Sequence, residues 1–416
     1  MATMTAHALG GTEEVPLRIK LQQVERRRKL KAVSLVLPLL LFILIAFVLP
    51  IGQMLFRAIH DDTLPALMPR TTTALSTWDG KDLPDESVYA ALAGELKQAW
   101  AQKTTGVIGK RMNYELPGAL SAVMSSARKV NTLSAGPYKA ALIEINPLWG
   151  QHDVWSLLKR GSSAYTAHYL LRSIDYQYGP DSQIVASPPE NAIFRDMFLR
   201  TLGISIAVTA ATLLLGFPTA YLLATLPPRS SNLLMIMVVL PFWTSLLVRT
   251  TAWVVLLQQH GVVNEILMGL HIISQPAQLI FNRVGTVVAM THIQLPFTLL
   301  PIYSVMKTIS PSYVRAARSL GAGPFYAFWK VYFPQTLPGI AAGCLLTFIL
   351  CLGYYITPAL VGGPNDQMVG YFVAHYTNEE LNWGMASALG AILLTATLLL
   401  YYVFNKLVGV DRIKMG

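Results

Sequence analysis

The sequence predicts an all-α polytopic membrane protein with six transmembrane helices and a mostly helical insert outside the membrane between helices 1 and 2. Three observations predict it. Of the 416 residues, 53% are hydrophobic and only 13% charged, with a mean hydropathy of +0.45, outside ordinary soluble usage. Several apolar runs are long enough to cross a hydrocarbon core of ~30 Å as helices. The basic residues are also unevenly placed. Residues 57–197 hold fourteen Lys/Arg and fourteen Asp/Glu, so the net charge of +10 comes wholly from the 18 basic and 8 acidic residues elsewhere. Most of that excess borders apolar runs, which reports membrane topology rather than nucleic-acid binding.

Taken in order, residues 1–31 form a cytoplasmic segment whose stretch from Arg18 to Lys31 is basic and helical. It reads as a cytoplasmic positive flank, with acidic lipid headgroups as the alternative partner. Ala32–Phe56 is uncharged over twenty-five residues, about 37 Å as a helix, and forms transmembrane helix 1. It is too long for a signal-peptide core and lacks a small-x-small cleavage site, so it is retained. Pro38 and Pro50 kink it or mark its end.

Residues 57–197 differ in kind. Charges are interspersed, prolines punctuate the segment, and helical patterns recur at Ser87–Thr104, Leu116–Val130 and Val154–Ser173. That length can bury a core of its own.

The remainder, 198–416, carries helices 2–6: Phe198–Leu226, Leu233–Leu257, a span within Leu279–Ile309, Gly339–Val361 and Ala386–Leu407. A tight turn, Pro227–Asn232, joins the first two, and a short basic tail, Asp411–Lys414, closes the chain. The loops 258–278 and 362–385 contain no Lys or Arg, whereas the amino-terminal segment, Arg229, the 310–337 loop and the tail are basic. Both termini are therefore expected in the cytoplasm and the 57–197 domain outside. Cys344 and Cys351 sit seven residues apart on one expected span, roughly 10 Å along the helix and too far for a disulfide.

The 310–337 loop carries the most specific pattern. Ser310 and Pro311 supply an N-cap followed by proline at the first helical position. Val314, Ala317 and Gly321 fall on one face. Gly321-Ala322-Gly323-Pro324 then breaks the helix, and a second short amphipathic piece, Phe325 to Tyr332, ends at Phe333-Pro334. Helix, glycine break, helix makes a small cytoplasmic knob suited to a groove on a soluble partner.

This loop resembles the EAA motif of permease subunits of bacterial binding-protein-dependent ABC importers. Arg315-Ala316-Ala317 is followed by three residues and Gly321, and nine more lead to Val331-Tyr332-Phe333-Pro334. Arg315 stands where the family usually has Glu, so the polar contact of that Glu does not carry over. Residues 239–253 (VLPFWTSLLVRTTAW), Leu295-Pro296-Phe297 and residues 354–364 (YYITPALVGGP) are similar to permeases of the spermidine/putrescine branch. The resemblance implies the type I ABC importer permease fold and an ATPase-coupling loop formed by Arg315, Ala316, Ala317, Ser319, Leu320, Gly321, Ala322, Gly323 and Phe325. It also implies an ABC ATPase dimer that binds ATP and Mg, a periplasmic substrate-binding protein, and a second permease, in a heterodimer rather than the alternative homodimer. The 57–197 insert lies outside that pattern.

The chain itself shows no nucleotide or metal chemistry. Gly106-Val107-Ile108-Gly109-Lys110-Arg111 lacks the Walker A spacing, and no zinc-protease pattern, paired-cysteine metal pattern or nucleophile elbow occurs. A transport subunit without its own ATPase site, cofactor or metal is expected. Polar groups inside apolar spans face protein-lined cavities more often than lipid. Trp243, Thr244, Ser245, Arg249, Thr250, Trp253, Tyr354, Tyr355 and Thr357 are thus either packing residues or a solute pathway. The expected spans contain no Asp or Glu, so cation selectivity would come from aromatic faces, the second permease or the binding protein. The alternatives are the same machinery carrying an aminophosphonate, an opine or a ferric ion, or a membrane-anchored scaffold whose outer domain binds a partner.

Overall fold

The computed structural model describes residues 17–133 and 136–408. The expected basic tail and the first sixteen residues lie outside the described residues. The chain forms two compact units, residues up to Met54 and residues from Leu55 on.

The first unit is one helical rod, basic at its start and uncharged from Ala32 on. Helix α1 (Leu17–Ile43) runs through a π-helical turn (Leu44–Val48) into α2 (Leu49–Arg57), and Arg28–Arg57 is long and apolar enough to cross a membrane. The π turn lies just ahead of Pro50. Proline has no N–H to donate and its ring crowds the carbonyl four residues back, here Ala46 inside that turn; widening the helix relieves both.

The second unit opens with the 57–197 insert. Its helices are α3 (Thr63–Leu67), α4 (Pro69–Ser76), α5 (Glu86–Ala101), α6 (Thr105–Asn113), α7 (Ala119–Val130), α8 (Tyr138–Ile145), α9 (His152–Arg160) and α10 (His168–Arg172). Where one helix was expected over Val154–Ser173, there are two, because the Gly161-Ser162-Ser163 turn ends α9. An antiparallel hairpin, β1 (Tyr176–Tyr178) and β2 (Ile184–Ala186), departs from the all-α expectation.

The insert does have its own core, built around Trp149, Trp155, Tyr89 and Leu92. The Tyr89 hydroxyl and Trp155 Nε1 both donate to the Trp149 carbonyl, at 2.8 and 3.0 Å, so these buried polar atoms are paired. Carboxylates from elsewhere in the chain cap helix starts. Glu95 accepts from Arg70 N (2.6 Å) and Thr71 N (3.0 Å) at the start of α4. Asp175 does the same for Phe194 N (3.0 Å) and Arg195 N (2.6 Å), fixing where the next long helix begins. Each satisfies orphan N–H groups at the positive end of a helix dipole.

That helix is α11 (Phe194–Thr225), followed by α12 (Pro228–Val239), α13 (Leu246–Leu257), α14 (Val262–Gly269), α15 (Arg283–Thr308), α16 (Pro311–Ser319), α17 (Pro324–Ala327), α18 (Phe333–Leu352), α19 (Ile356–Val361), α20 (Val369–Asn378) and α21 (Trp383–Val408). Among the described residues, five helices are long and apolar enough to cross a membrane, or six if one bent pair counts as a crossing.

The bent pair corrects the expected continuous span Leu233–Leu257. Pro228–Trp243 and Leu246–Gly269 meet at 98°. Pro241 sits inside a 3₁₀ turn (Leu240–Trp243), and the Ser245 hydroxyl caps the new helix by accepting from Val248 N at 3.2 Å. A proline-bearing turn and a fresh N-cap stop one helix and start another. The expected span Gly339–Val361 is corrected as well: α18 stops at Leu352, Gly353 follows, and α19 is separate.

Helices α11, α15 and α18 pack as the central bundle. The Thr298 hydroxyl lies 2.9 Å from that of Thr212 and 2.6 Å from that of Thr347, one from each helix, all fully buried. The insert docks onto the α20–α21 corner. Tyr169 fills the space a side chain at Gly384 would need, Lys110 donates to the Glu380 carbonyl, and Arg57 lies over the Trp383 ring.

Candidate functional site

The 310–337 loop forms the helix, break, helix shape expected. Ser310 caps α16 through its hydroxyl, with Pro311 at the first helical position. Gly321 adopts φ +89°, a left-handed conformation that a Cβ disfavours, and a side chain there would meet nothing within 4 Å. Within this chain Gly321 serves the backbone turn. Ala317 is half-buried on the inner face, while Arg315, Ala316 and Ser319 are exposed. Ala322 is half-buried and Gly323 caps α17.

At the tip, Leu320 is 90% exposed and Phe325 77% exposed. The expected stop at Phe333-Pro334 is corrected: α17 runs through a second π turn (Phe328–Tyr332) directly into α18. Pro334 stands to this turn as Pro50 stands to the first, and the same relief of the proline ring applies. The knob is thus built into the end of a long bundle helix. Aromatic contacts fix its base: Phe328 lies edge-on to Tyr221 at 5.5 Å and Phe217 to Phe333 at 5.7 Å. These rings tie the base of the knob to α11, and α17 is continuous with α18.

The nine polar and aromatic residues expected along a pathway do not form one cluster. Thr250 and Thr357 meet, hydroxyl to hydroxyl at 3.0 Å, joining α13 to α19, and both are fully buried. Arg249 stacks over the Phe242 ring at 5.0 Å, and its buried Nε has no hydrogen-bond partner. Phe242 in turn meets Phe297 edge-on at 5.2 Å. Trp253 Nε1 donates to His292 Nδ1 at 3.1 Å. Trp243, Thr244 and Ser245 lie in the break between α12 and α13, and Trp243 is 80% exposed. Tyr354 is half-buried against the Cys351 cluster, and Tyr355 is exposed.

The sequence reading missed the α15 members of this region. His292 pairs with Trp253, and Gln294 is 1% exposed with no partner stronger than the Cys351 thiol. Ser205 and Thr291 hydroxyls are likewise buried without partners. The signal was present in Thr291-His292-Ile293-Gln294, a polar interruption of an apolar run.

Residues 212–410 match the family described as binding-protein-dependent transport system inner membrane component, leaving the insert outside that match. The chain is 34% identical to the spermidine/putrescine transport system permease protein PotB of Haemophilus influenzae over 222 residues, covering 53% of this chain and 78% of that protein. It is 31% identical to PotB of Escherichia coli K12 over 212 residues, covering 50% and 77%. A chain of a bacterial alginate ABC transporter, solved with its alginate-loaded periplasmic protein, aligns with TM-score 0.43 at 18% identity, covering 54% of this chain and 80% of that one. The chain belongs to the family of binding-protein-dependent transport system inner membrane components, the permease subunits of ABC importers.

Proposed function

We propose that the protein forms half of the translocation pathway of a polyamine importer, with spermidine or putrescine delivered by a periplasmic binding protein. The observation that carries this reading is the similarity to PotB proteins named for spermidine/putrescine transport, at 34% identity over 78% of the Haemophilus protein. In this reading the bent pair α12–α14 completes six crossings, both termini are cytoplasmic, and the 57–197 insert is periplasmic. The low Lys/Arg content of the loops 258–278 and 362–385 supports that orientation.

ATP and Mg are bound by a separate ATPase dimer. Leu320, Gly321 and Phe325, flanked by Arg315, Ala316, Ala317, Ser319, Ala322 and Gly323, insert into its groove. Closure of the ATPases on ATP moves the tip, and the continuous α17–α18 rod carries the motion into the bundle. A second, different permease lines the other half of the cavity, where Trp253, Tyr354 and Tyr355 of this chain contact solute, with the buried Thr250–Thr357 pair holding α13 and α19 behind them. Among the described residues the spans carry carboxylates only near their ends, Asp196 in α11 and Glu265 in α14, so aromatic faces attract the ammonium groups.

The test is uptake of radiolabelled spermidine and putrescine by cells expressing the chain with its neighbouring transport genes and lacking other polyamine importers. Energy-dependent uptake above the empty-vector level supports the reading. Background uptake of both polyamines, with the protein present in the membrane, overturns it.

A further inference from the structure

The insert encloses a cavity of about 480 Å³ between α9, α10, the turn after α6 and the β1–β2 hairpin. A buried ion network borders it. Arg111 pairs with Asp61 and with Glu115 (2.8 Å), and Arg160 Nη2 reaches Glu115 at 3.3 Å. The Tyr169 hydroxyl donates to Asp61 at 2.7 Å. Two arginines thus balance two carboxylates. His168, 3.9 Å from Glu115, is buried, and burial holds its imidazole down to about 4, so it is uncharged at neutral pH.

Two charges of the lining remain outside this balance. Arg172 uses one nitrogen on the Ser187 hydroxyl at 3.1 Å and has donors to spare. Asp153, in the first turn of α9, has no ion pair or side-chain hydrogen bond among the described residues. Arg160 adds a buried Nε without a partner, beside its stacking contact with Tyr178 at 4.8 Å. The cavity therefore offers guanidinium donors for a carboxylate and one carboxylate for an ammonium group.

We infer that this cavity binds a small zwitterion carrying both a carboxylate and an ammonium group, an amino acid or a close relative. A diamine would bring its second ammonium against Arg160 and Arg172, and a simple anion would leave Asp153 unpaired. The site is chemically distinct from the polyamine pathway. A second cavity of about 570 Å³ shares Asn113, Tyr114, His168 and Arg172 with the first and reaches Glu380 and Asn382 at the α20–α21 corner. Arg172 thus lies on a wall that the cavity shares with the corner where the insert docks on the transport bundle.

The experiment is thermal unfolding of the purified full chain in mild detergent with each of the twenty amino acids at millimolar concentration, with acetate and putrescine alongside. At least one amino acid raises the unfolding midpoint by several degrees, and Arg172→Gln and Asp153→Asn each abolish the shift. Should Arg172→Gln lower the midpoint without ligand, Asp153→Asn carries the comparison. No shift with any amino acid overturns the inference, as does an equal shift from acetate or from putrescine. The readout needs no transport activity, so it stands or falls apart from the polyamine reading.

Discussion

Gly343 on α18 lies so close to Thr298 on α15 that a side-chain carbon at 343 would stand 2.5 Å from the Thr298 carbonyl oxygen. One turn earlier, a carbon at Gly339 would stand 3.0 Å from the Pro301 carbonyl oxygen. This small-xxx-small stripe lets the two backbones touch, as in packed transmembrane helices generally. Gly343→Leu is expected to force α15 and α18 apart and leave the Thr212–Thr298–Thr347 hydroxyls unpaired. The protein should be produced but lose its sharp thermal transition in detergent, while Gly353→Ala, where no atom lies within 4 Å, should unfold like the wild type.

Thr250 and Thr357 give a cleaner energetic test. Replacing either with Val leaves the other buried hydroxyl without a partner, at a cost of about 1–3 kcal/mol, whereas the double replacement is close to neutral. A double-mutant cycle by denaturant or thermal unfolding should therefore show strong coupling. Additive losses would mean that the hydroxyls do not depend on each other.

Gln294 predicts a change in the opposite direction. Its buried amide meets at most the Cys351 thiol, a weak partner, so Gln294→Leu removes most of a desolvation cost of about 1–3 kcal/mol. The variant is expected to melt at a higher temperature than the wild type.

The insert is expected to weaken in acid. Burial raises the Glu115 carboxyl, but His168, Arg111 and Arg160 outweigh it and hold the pKa below its ordinary 4.5. Burial lowers His168 from 6.5 to about 4. Both folded-state values are depressed, so the unfolded chain takes up protons first as pH falls. His168 costs stability from pH 6.5 down to about 4, on the order of 3 kcal/mol in all. The Glu115 contribution, present above 4.5, is lost below it. Thermal unfolding between pH 7.5 and 4.5 should show a falling midpoint, with a shallower fall in His168→Gln.

What the sequence made legible is local. Ser310, Pro311 and Gly321 act through their own backbone geometry, so cap, start and break of the coupling loop could be read residue by residue. The break at Thr244–Ser245 could not, because the apolar run continues on both sides of it and hydropathy carries no direction. Prolines 50 and 334 were legible as disturbances, but a π turn absorbs each one and the helix runs on. The network of Asp61, Arg111, Glu115 and Arg160 joins residues up to 99 positions apart, and nothing in their spacing marks them as partners. The close approach at Gly339 and Gly343 depends on where the α15 backbone lies, which their own sequence neighbours do not specify.

The coupling tip is where the account is most exposed. The full chain, produced in its native host with an affinity tag and extracted in mild detergent, would be purified alongside Leu320→Asp, and the co-purifying proteins identified by mass spectrometry. Leu320 is 90% exposed, so the substitution should leave the fold intact. The account predicts that an ABC ATPase accompanies the wild type and is lost or sharply depleted with Leu320→Asp, while a second permease is retained in both. An ATPase recovered equally with the two proteins, or absent from both, would contradict it.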